Sequence, residues 1–196
     1  QYSCMTNEDG MVLDDLLVYK ISEKIYMLVV NASNTLKIFN WLSFNNIFSI
    51  DIKDITMDRG LLAVQGPKSI DLLQNLTEFD LSNMKSYSFK ILKLGGLDNI
   101  LVSTTGYTGS GGFEIYGDKK NMVKIWDMLF SYSEYNLKPI GLGARDTLRL
   151  EMGFCLYGNE LSENISPLEA KLSKIIALDT KFIGSEVLSE SEIKKE

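Results

Sequence analysis

Hydrophobic and polar positions change period along this chain, and the changes mark its elements. Leu16 to Ile21 and Ile25 to Val30 are rich in β-forming residues with a Ser-Glu-Lys turn between them, which predicts a hairpin. Asn31-Ala32-Ser33-Asn34 then offers helix-capping side chains, and Leu36, Phe39, Trp41 and Leu42 supply much of the apolar content of the helix predicted behind them. Leu61 to Val64 predicts a short buried strand. Gly66-Pro67 ends it and opens a helix over Ser69 to Leu76, with Pro67 suited to the first turn.

The second half repeats the order. Ile100 to Ser103 and Phe113 to Tyr116 predict strands joined by a glycine-rich connection, Thr105 to Gly112. A helix is predicted over Asn121 to Ser131, with Met122, Ile125, Trp126 and Leu129 as its apolar stripe, and another over Gly141 to Gly153. Two strand–turn–strand–helix units in succession predict an α+β chain of antiparallel sheets with flanking helices. The polar, serine-containing stretch Asp80 to Lys85 places the expected boundary there, giving subdomains 1–80 and 81–196. The charged tail from Ser189 onward is expected to fray.

Composition narrows the function classes. The 196 residues are 45% hydrophobic and 23% charged, enough to bury a sizeable core. A net charge of −6 argues against a nucleic-acid backbone as the main partner. No window reaches the ~18 consecutive apolar residues that a membrane span requires. Gln1-Tyr2-Ser3-Cys4 has neither a basic nor an apolar signal region and reads as a chain entered in the middle. Cys4 and Cys155 form no CxxC pair, so free thiols in a reducing compartment are expected. Histidine is absent, which excludes a Ser-His-Asp triad, a Cys-His dyad and a His-ligated zinc within these residues. Acid–base chemistry falls to Asp, Glu, Lys, Tyr or Cys.

Three segments could carry that chemistry. Asp14-Asp15 enters the first hairpin, and neighbours on a strand point to opposite faces, so at most one carboxylate faces the core. Both could be solvated, or one could be held in a pocket as an acid–base or anchoring group with its pKa tuned by burial. Gly106-Tyr107-Thr108-Gly109-Ser110-Gly111-Gly112 lacks the Lys of a P-loop and leads into a strand, so it is no phosphate loop. It is a long glycine turn followed by Glu114, which alternation sets opposite Phe113 and Ile115, towards solvent or a cleft. Ala144 to Glu151 places Arg145, Arg149 and Glu151 around a helix whose plainest reading is a salt-bridged surface.

Together these segments resemble the aminomethyltransferase family of the glycine cleavage system. The match runs through Asn7-Glu8, Asp14-Asp15-Leu16, Asn31-Ala32, Gln65-Gly66-Pro67, Thr105 to Gly109, Gly112-Phe113-Glu114-Ile115, Gly141 to Glu151, Leu156-Tyr157-Gly158-Asn159-Glu160 and Ser166-Pro167-Leu168-Glu169-Ala170, in order. It covers essentially the whole chain. The resemblance implies a folate site in a cloverleaf of three domains. It also implies transfer of a methylene group from the aminomethylated lipoyl arm of H-protein to tetrahydrofolate, with release of ammonia. Tetrahydrofolate is then the co-substrate, H-protein the partner, and neither a metal, a nucleic acid nor a membrane is involved.

By position Asp15 resembles the family's essential aspartate, with Asp14 as the alternative, Glu114 its pterin-binding glutamate and Arg145 a folate-binding arginine. Tyr19, Asn31 and Tyr107 are further pocket residues by the same resemblance. A carboxylate would receive the pterin's 2-amino and ring N–H donors as a bidentate pair. This chain departs from the family's pattern at Met11, where a second glycine is usual, and at Ser110 and Gly111, where acidic residues are usual. The family's N-terminal segment and C-terminal β-rich domain are missing, so a chain cut at both ends with a partial site is expected. The compartment implied is the bacterial cytoplasm or the mitochondrial matrix. Two alternatives are the folate domain of a dimethylglycine or sarcosine oxidase-type enzyme, and a non-catalytic folate-binding relative.

Overall fold

Two antiparallel sheets organise the chain, each within its own compact unit: Gln1–Lys53 with Cys155–Glu196, and Asp54–Phe154. The computed structural model describes residues 1–193. The α+β class with antiparallel sheets is as expected.

The first sheet has the order β1 (Tyr2–Thr6), β2 (Val12–Lys20), β3 (Tyr26–Val29). The predicted hairpin is β2–β3, closed by the Ile21 N–H donating to the Ile25 carbonyl at 2.9 Å. Strand β1 was not foreseen: its residues are half-buried nearly throughout, so no alternation betrays it, and pairing with β2 makes it a strand. The two sides of β2 differ. Strand β3 reaches only as far as Leu17↔Val29 and leaves Val12 to Leu16 without a partner strand on that side. On the other side the register passes from Met5↔Asp14 to Thr6↔Val12, so Leu13 is an extra, bulged residue directly before the aspartates.

A 3-10 turn, Ala32–Asn34, leads into helix α1 (Thr35–Phe44). Its buried stripe centres on Ile38, while Leu36, part of the helix's apolar content, is 70% exposed.

The second unit carries the order β4-β7-β6-β5. These are β4 (Arg59–Gln65), β5 (Phe89–Leu94), β6 (Leu97–Ser103) and β7 (Gly112–Asp118). Helix α2 (Ser69–Gln74) follows β4, α3 (Lys119–Ser131) follows β7, and α4 (Leu142–Glu151) comes last. Val64, Leu72, Phe113, Ile115, Met122, Ile125 and Leu129 are among its core residues. Helix α3 can lie close to the sheet because Gly60 and Gly117, paired across β4 and β7, leave room for Met122: a Cβ on either would come within 2.8 Å of that side chain. Trp126, expected in the stripe, sits half-exposed at its edge, with its ring tilted against that of Phe130.

The expected boundary at 80/81 does not coincide with either unit. Asp80 accepts from the Ser82 N–H and Asn83 Nδ2 to form a capped turn, and that turn inserts Leu81 into the core of the second unit. A polar stretch mimics a linker when a single apolar residue within it does the anchoring.

From Cys155 the chain rejoins the first unit. The Val12 N–H donates to the Ile165 carbonyl at 3.0 Å, and the Thr6 hydroxyl to the Ile183 carbonyl at 2.6 Å. Helix α5 (Ser185–Ile193) buries Leu188. Ser189 to Ile193, expected to fray, belong to this helix, and the remainder of that tail, 194–196, lies outside the described residues.

Candidate functional site

In the first unit the aspartate pair forms a hydrogen-bonded cluster with Asn31 and Asn34. Because β3 ends early, Asn31 occupies the place where a partner strand would continue. Its backbone N–H donates to Asp14 Oδ2 at 3.0 Å. Its Nδ2 lies 2.8 Å from Asp14 Oδ1, 3.1 Å from the Asp15 carbonyl and 2.8 Å from Asp15 Oδ1, so its two hydrogens are shared among three acceptors. Asn34 Nδ2 adds a bond to Asp14 Oδ1 at 2.7 Å. The two asparagines read from sequence as helix caps make no side-chain cap bond. Their amides serve the carboxylates instead.

The two aspartates are thus unequal. Asp14 is 0% exposed, and three donors occupy both its oxygens. Burial pushes its carboxyl above the usual range, and the Asp15 charge adds to this, while the bonds from Asn31 and Asn34 pull the other way. Asp15 is half-buried, and its side chain accepts from Asn31 and from the Tyr2 hydroxyl, the latter at 2.9 Å. Across the strand from Asp15 is Cys4, whose thiol is pushed up to about 12 by burial first, then by Asp15, Cys155 and Asp14. Neither cysteine is in a disulfide. Tyr19 is buried on β2, four residues beyond Asp15 and on the same face of the strand.

In the second unit Glu114 sits on the inner strand β7, between Ala63 of β4 and Ser103 of β6. Phe113 and Ile115 are core, as alternation required, and Glu114 on the opposite face is largely covered, at 8% exposure. The Thr105 hydroxyl donates to Oε2 over a very short distance, and the Tyr116 hydroxyl donates to the same oxygen at 3.2 Å. Thr105 Oγ1 also lies 3.1 Å from the Ser103 hydroxyl.

The glycine connection is clamped at its mouth by Gln65. Its Nε2 donates to the carbonyls of Thr105 (3.3 Å) and Phe113 (3.1 Å), and its Oε1 accepts from the Thr108 hydroxyl at 3.5 Å. A Cβ on Gly106 would fall 2.0 Å from Gln65 Oε1, so the clamp and a side chain at 106 exclude one another. Tyr107, in this loop, lies under the guanidinium of Arg145 with 4.6 Å to the ring centroid. Arg149, read as a surface charge, is the buried member of α4 at 4% exposure: its Nε donates to Asp146 at 2.8 Å and its Nη1 to the Phe154 carbonyl.

The structure therefore joins Asp14, Asp15 and Asn31 in one cluster, and Tyr107 with Arg145 in another. Asn34, Tyr2, Gln65, Thr105 and Tyr116 complete these arrangements without having been singled out from sequence. Gln65 and Thr105 stood within the motifs of the resemblance and Asn34 among the expected helix caps, while Tyr2 and Tyr116 are common polar residues that no local signal sets apart. Among the described residues no group of three or more His, Cys, Asp or Glu is arranged to hold a metal, and no helix is long and apolar enough to cross a membrane.

Comparison with known proteins adds three findings. Residues 1–180 match the family model described as the GCVT N-terminal domain. The chain is 51% identical over 186 residues to an aminomethyltransferase of Flavobacterium psychrophilum, covering 94% of this chain and 52% of that protein. It is 48% identical over 198 residues to one of Bacteroides fragilis, covering 100% and 54%. A crystal structure of the glycine cleavage system aminomethyltransferase T from Bartonella henselae superposes with a TM-score of 0.87 at 30% identity, covering 99% of this chain and 53% of that one. The chain spans about half the length of the curated relatives it matches.

Proposed function

The chain belongs to the GCVT N-terminal domain family, and from that premise we propose that it carries the folate-binding and catalytic residues of a glycine cleavage aminomethyltransferase. The reaction would move the methylene carbon of an aminomethylated lipoyl arm on H-protein to tetrahydrofolate, giving 5,10-methylenetetrahydrofolate and ammonia. When bound, tetrahydrofolate supplies the nucleophilic nitrogens that receive the carbon.

The observation that carries this reading is the inequality of the two aspartates. Asp14 has both oxygens engaged and is sealed from solvent, so it braces the cluster. Asp15 is held by Tyr2 and Asn31 yet remains half-accessible, so it is the carboxylate that can accept a proton or stabilise positive charge at the reacting carbon. Asn31 bonds to both and couples the orientation of one to the burial of the other.

Glu114 fits the pterin edge: it is a buried carboxylate with an oxygen still available, and the 2-amino and ring N–H groups are donors. Arg145, stacked on Tyr107, offers a planar cation for the anionic end of a folate. Tyr19 belongs to the pocket reading as a buried aromatic on the strand that bears Asp15.

The test is H-protein-dependent formation of methylenetetrahydrofolate by the full-length enzyme and by its Asp15→Asn variant. Asn keeps the size and one acceptor but loses the charge, so a fall of ~100- to 10,000-fold in turnover is expected. Undiminished turnover in Asp15→Asn, or turnover lost equally with melting temperature, would remove Asp15 from the chemistry.

A further inference from the structure

We propose that Thr105 and Tyr116 are positioning residues that fix the polarity of Glu114, committing Oε2 to the protein and leaving Oε1 as the sole ligand-facing acceptor. This rests on the reading of Glu114 as the residue that receives the pterin edge of tetrahydrofolate.

Three observations support it. First, a carboxylate oxygen has two lone-pair sites, and both hydroxyl bonds fall on Oε2. Second, the donors come from two directions. Tyr116 is two residues along on the same face of β7, and Thr105 follows β6 with Ser103 behind it, so no rotation of the Glu114 side chain keeps both bonds while turning Oε2 outward. Third, Oε1 has no partner among the described residues, yet no buried side-chain nitrogen or oxygen there lacks one; Oε1 therefore lies where solvent or a ligand reaches it.

Two consequences follow for binding. Parallel N–H donors on a ligand cannot be received one on each oxygen without displacing a hydroxyl, so they must converge on Oε1. The site also has a defined polarity. In Glu114→Gln the two hydroxyl donors would favour the amide oxygen in the place of Oε2 and turn the NH2 towards the ligand, where donor meets donor. Removing the hydroxyls would free the amide to flip and present its oxygen again. The hydroxyl pair thus makes the loss in Glu114→Gln conditional on Thr105 and Tyr116.

The experiment is calorimetric titration of the full-length protein with tetrahydrofolate in four forms: wild type, Glu114→Gln, the Thr105→Val/Tyr116→Phe pair, and all three substitutions together. Melting temperature is recorded for each. Glu114→Gln is expected to weaken binding on the order of 100-fold in the wild-type background but only about tenfold when both hydroxyls are absent. A loss that is the same in both backgrounds leaves the folate reading standing and overturns the role of Thr105 and Tyr116. If tetrahydrofolate does not bind the wild-type protein at full length, or binds Glu114→Gln as well as wild type, the folate reading itself falls and takes this inference with it. Should the Thr105→Val/Tyr116→Phe pair not fold, Tyr116→Phe alone serves as the second background, with the same dependence expected at smaller size.

Discussion

The Asp14 and Glu114 clusters both hold a carboxylate away from bulk water, and they do so with different donors. Asp14 takes one backbone N–H and two side-chain amides, spread over both oxygens. Glu114 takes two hydroxyls on one oxygen. Backbone and amide N–H groups are directional and held by the chain, so the Asp14 arrangement is closed and its product is a fixed neighbour, Asp15. The Glu114 arrangement is open on one side, and what it offers a ligand is its own remaining oxygen. A saturated carboxylate shapes a site; a half-satisfied one can belong to it.

The sharpest way to break this comparison is Asp14→Ala. It strands three donors in a place without solvent, and a loss of about 3–5 kcal/mol is expected, read from urea midpoints. A loss below about 1 kcal/mol would mean that water enters and that Asp14 is no brace.

Gly106→Ala probes the loop of the second unit. The added Cβ displaces Gln65 and releases its bonds to Thr105, Phe113 and Thr108. A cost of about 1–3 kcal/mol is expected, with faster amide exchange across 104–112 as the specific signature. Stability lost without a change in exchange there would show that Gln65 does not hold the loop.

Tyr2→Phe removes one bond to Asp15 and nothing from Asp14, so only about 1 kcal/mol should go. Its effect should fall on turnover more than on the melting temperature; the reverse would make Tyr2 part of the packing alone.

The smallest effect is in pH. The folded value of Asp14 is raised, so the folded chain binds that proton more tightly than the unfolded chain does. Asp14 therefore contributes most below the ordinary carboxyl value near ~4, and its contribution declines as pH rises through the elevated one. Urea midpoints of wild type should fall relative to Asp14→Asn as pH increases over that interval. A gap that is constant with pH would contradict the assignment.

Much of the fold was legible because its elements carry strong local signals. The β2–β3 turn, the glycine connection before β7 and the Met122–Ile125–Leu129 stripe of α3 each declare themselves within a dozen residues. Strand β1 and the turn around Leu81 did not, since one lacks alternation and the other hides its single apolar anchor among polar neighbours. The site was legible in part. Asp15, Glu114, Arg145 and their companions were reached through resemblance, whereas their burial and partners were not. Alternation set Glu114 towards solvent or a cleft, but it assigns a residue to a face without saying how far that face is covered.

What the sequence by itself determined is which residues alternate, where turns are forced, and that acid–base work must fall to groups other than histidine. Only the tertiary structure decided that Asp14 is closed and Asp15 accessible, and that Asn31 and Asn34 spend their amides on carboxylates rather than on a helix end. Thr105 likewise reaches the Glu114 oxygen that Tyr116 holds only once β6 and β7 are paired. Each of these depends on where β3 stops and how β4, β6 and β7 align. Most of these contacts join residues on different elements, and a local pattern of hydrophobic and polar positions does not encode them.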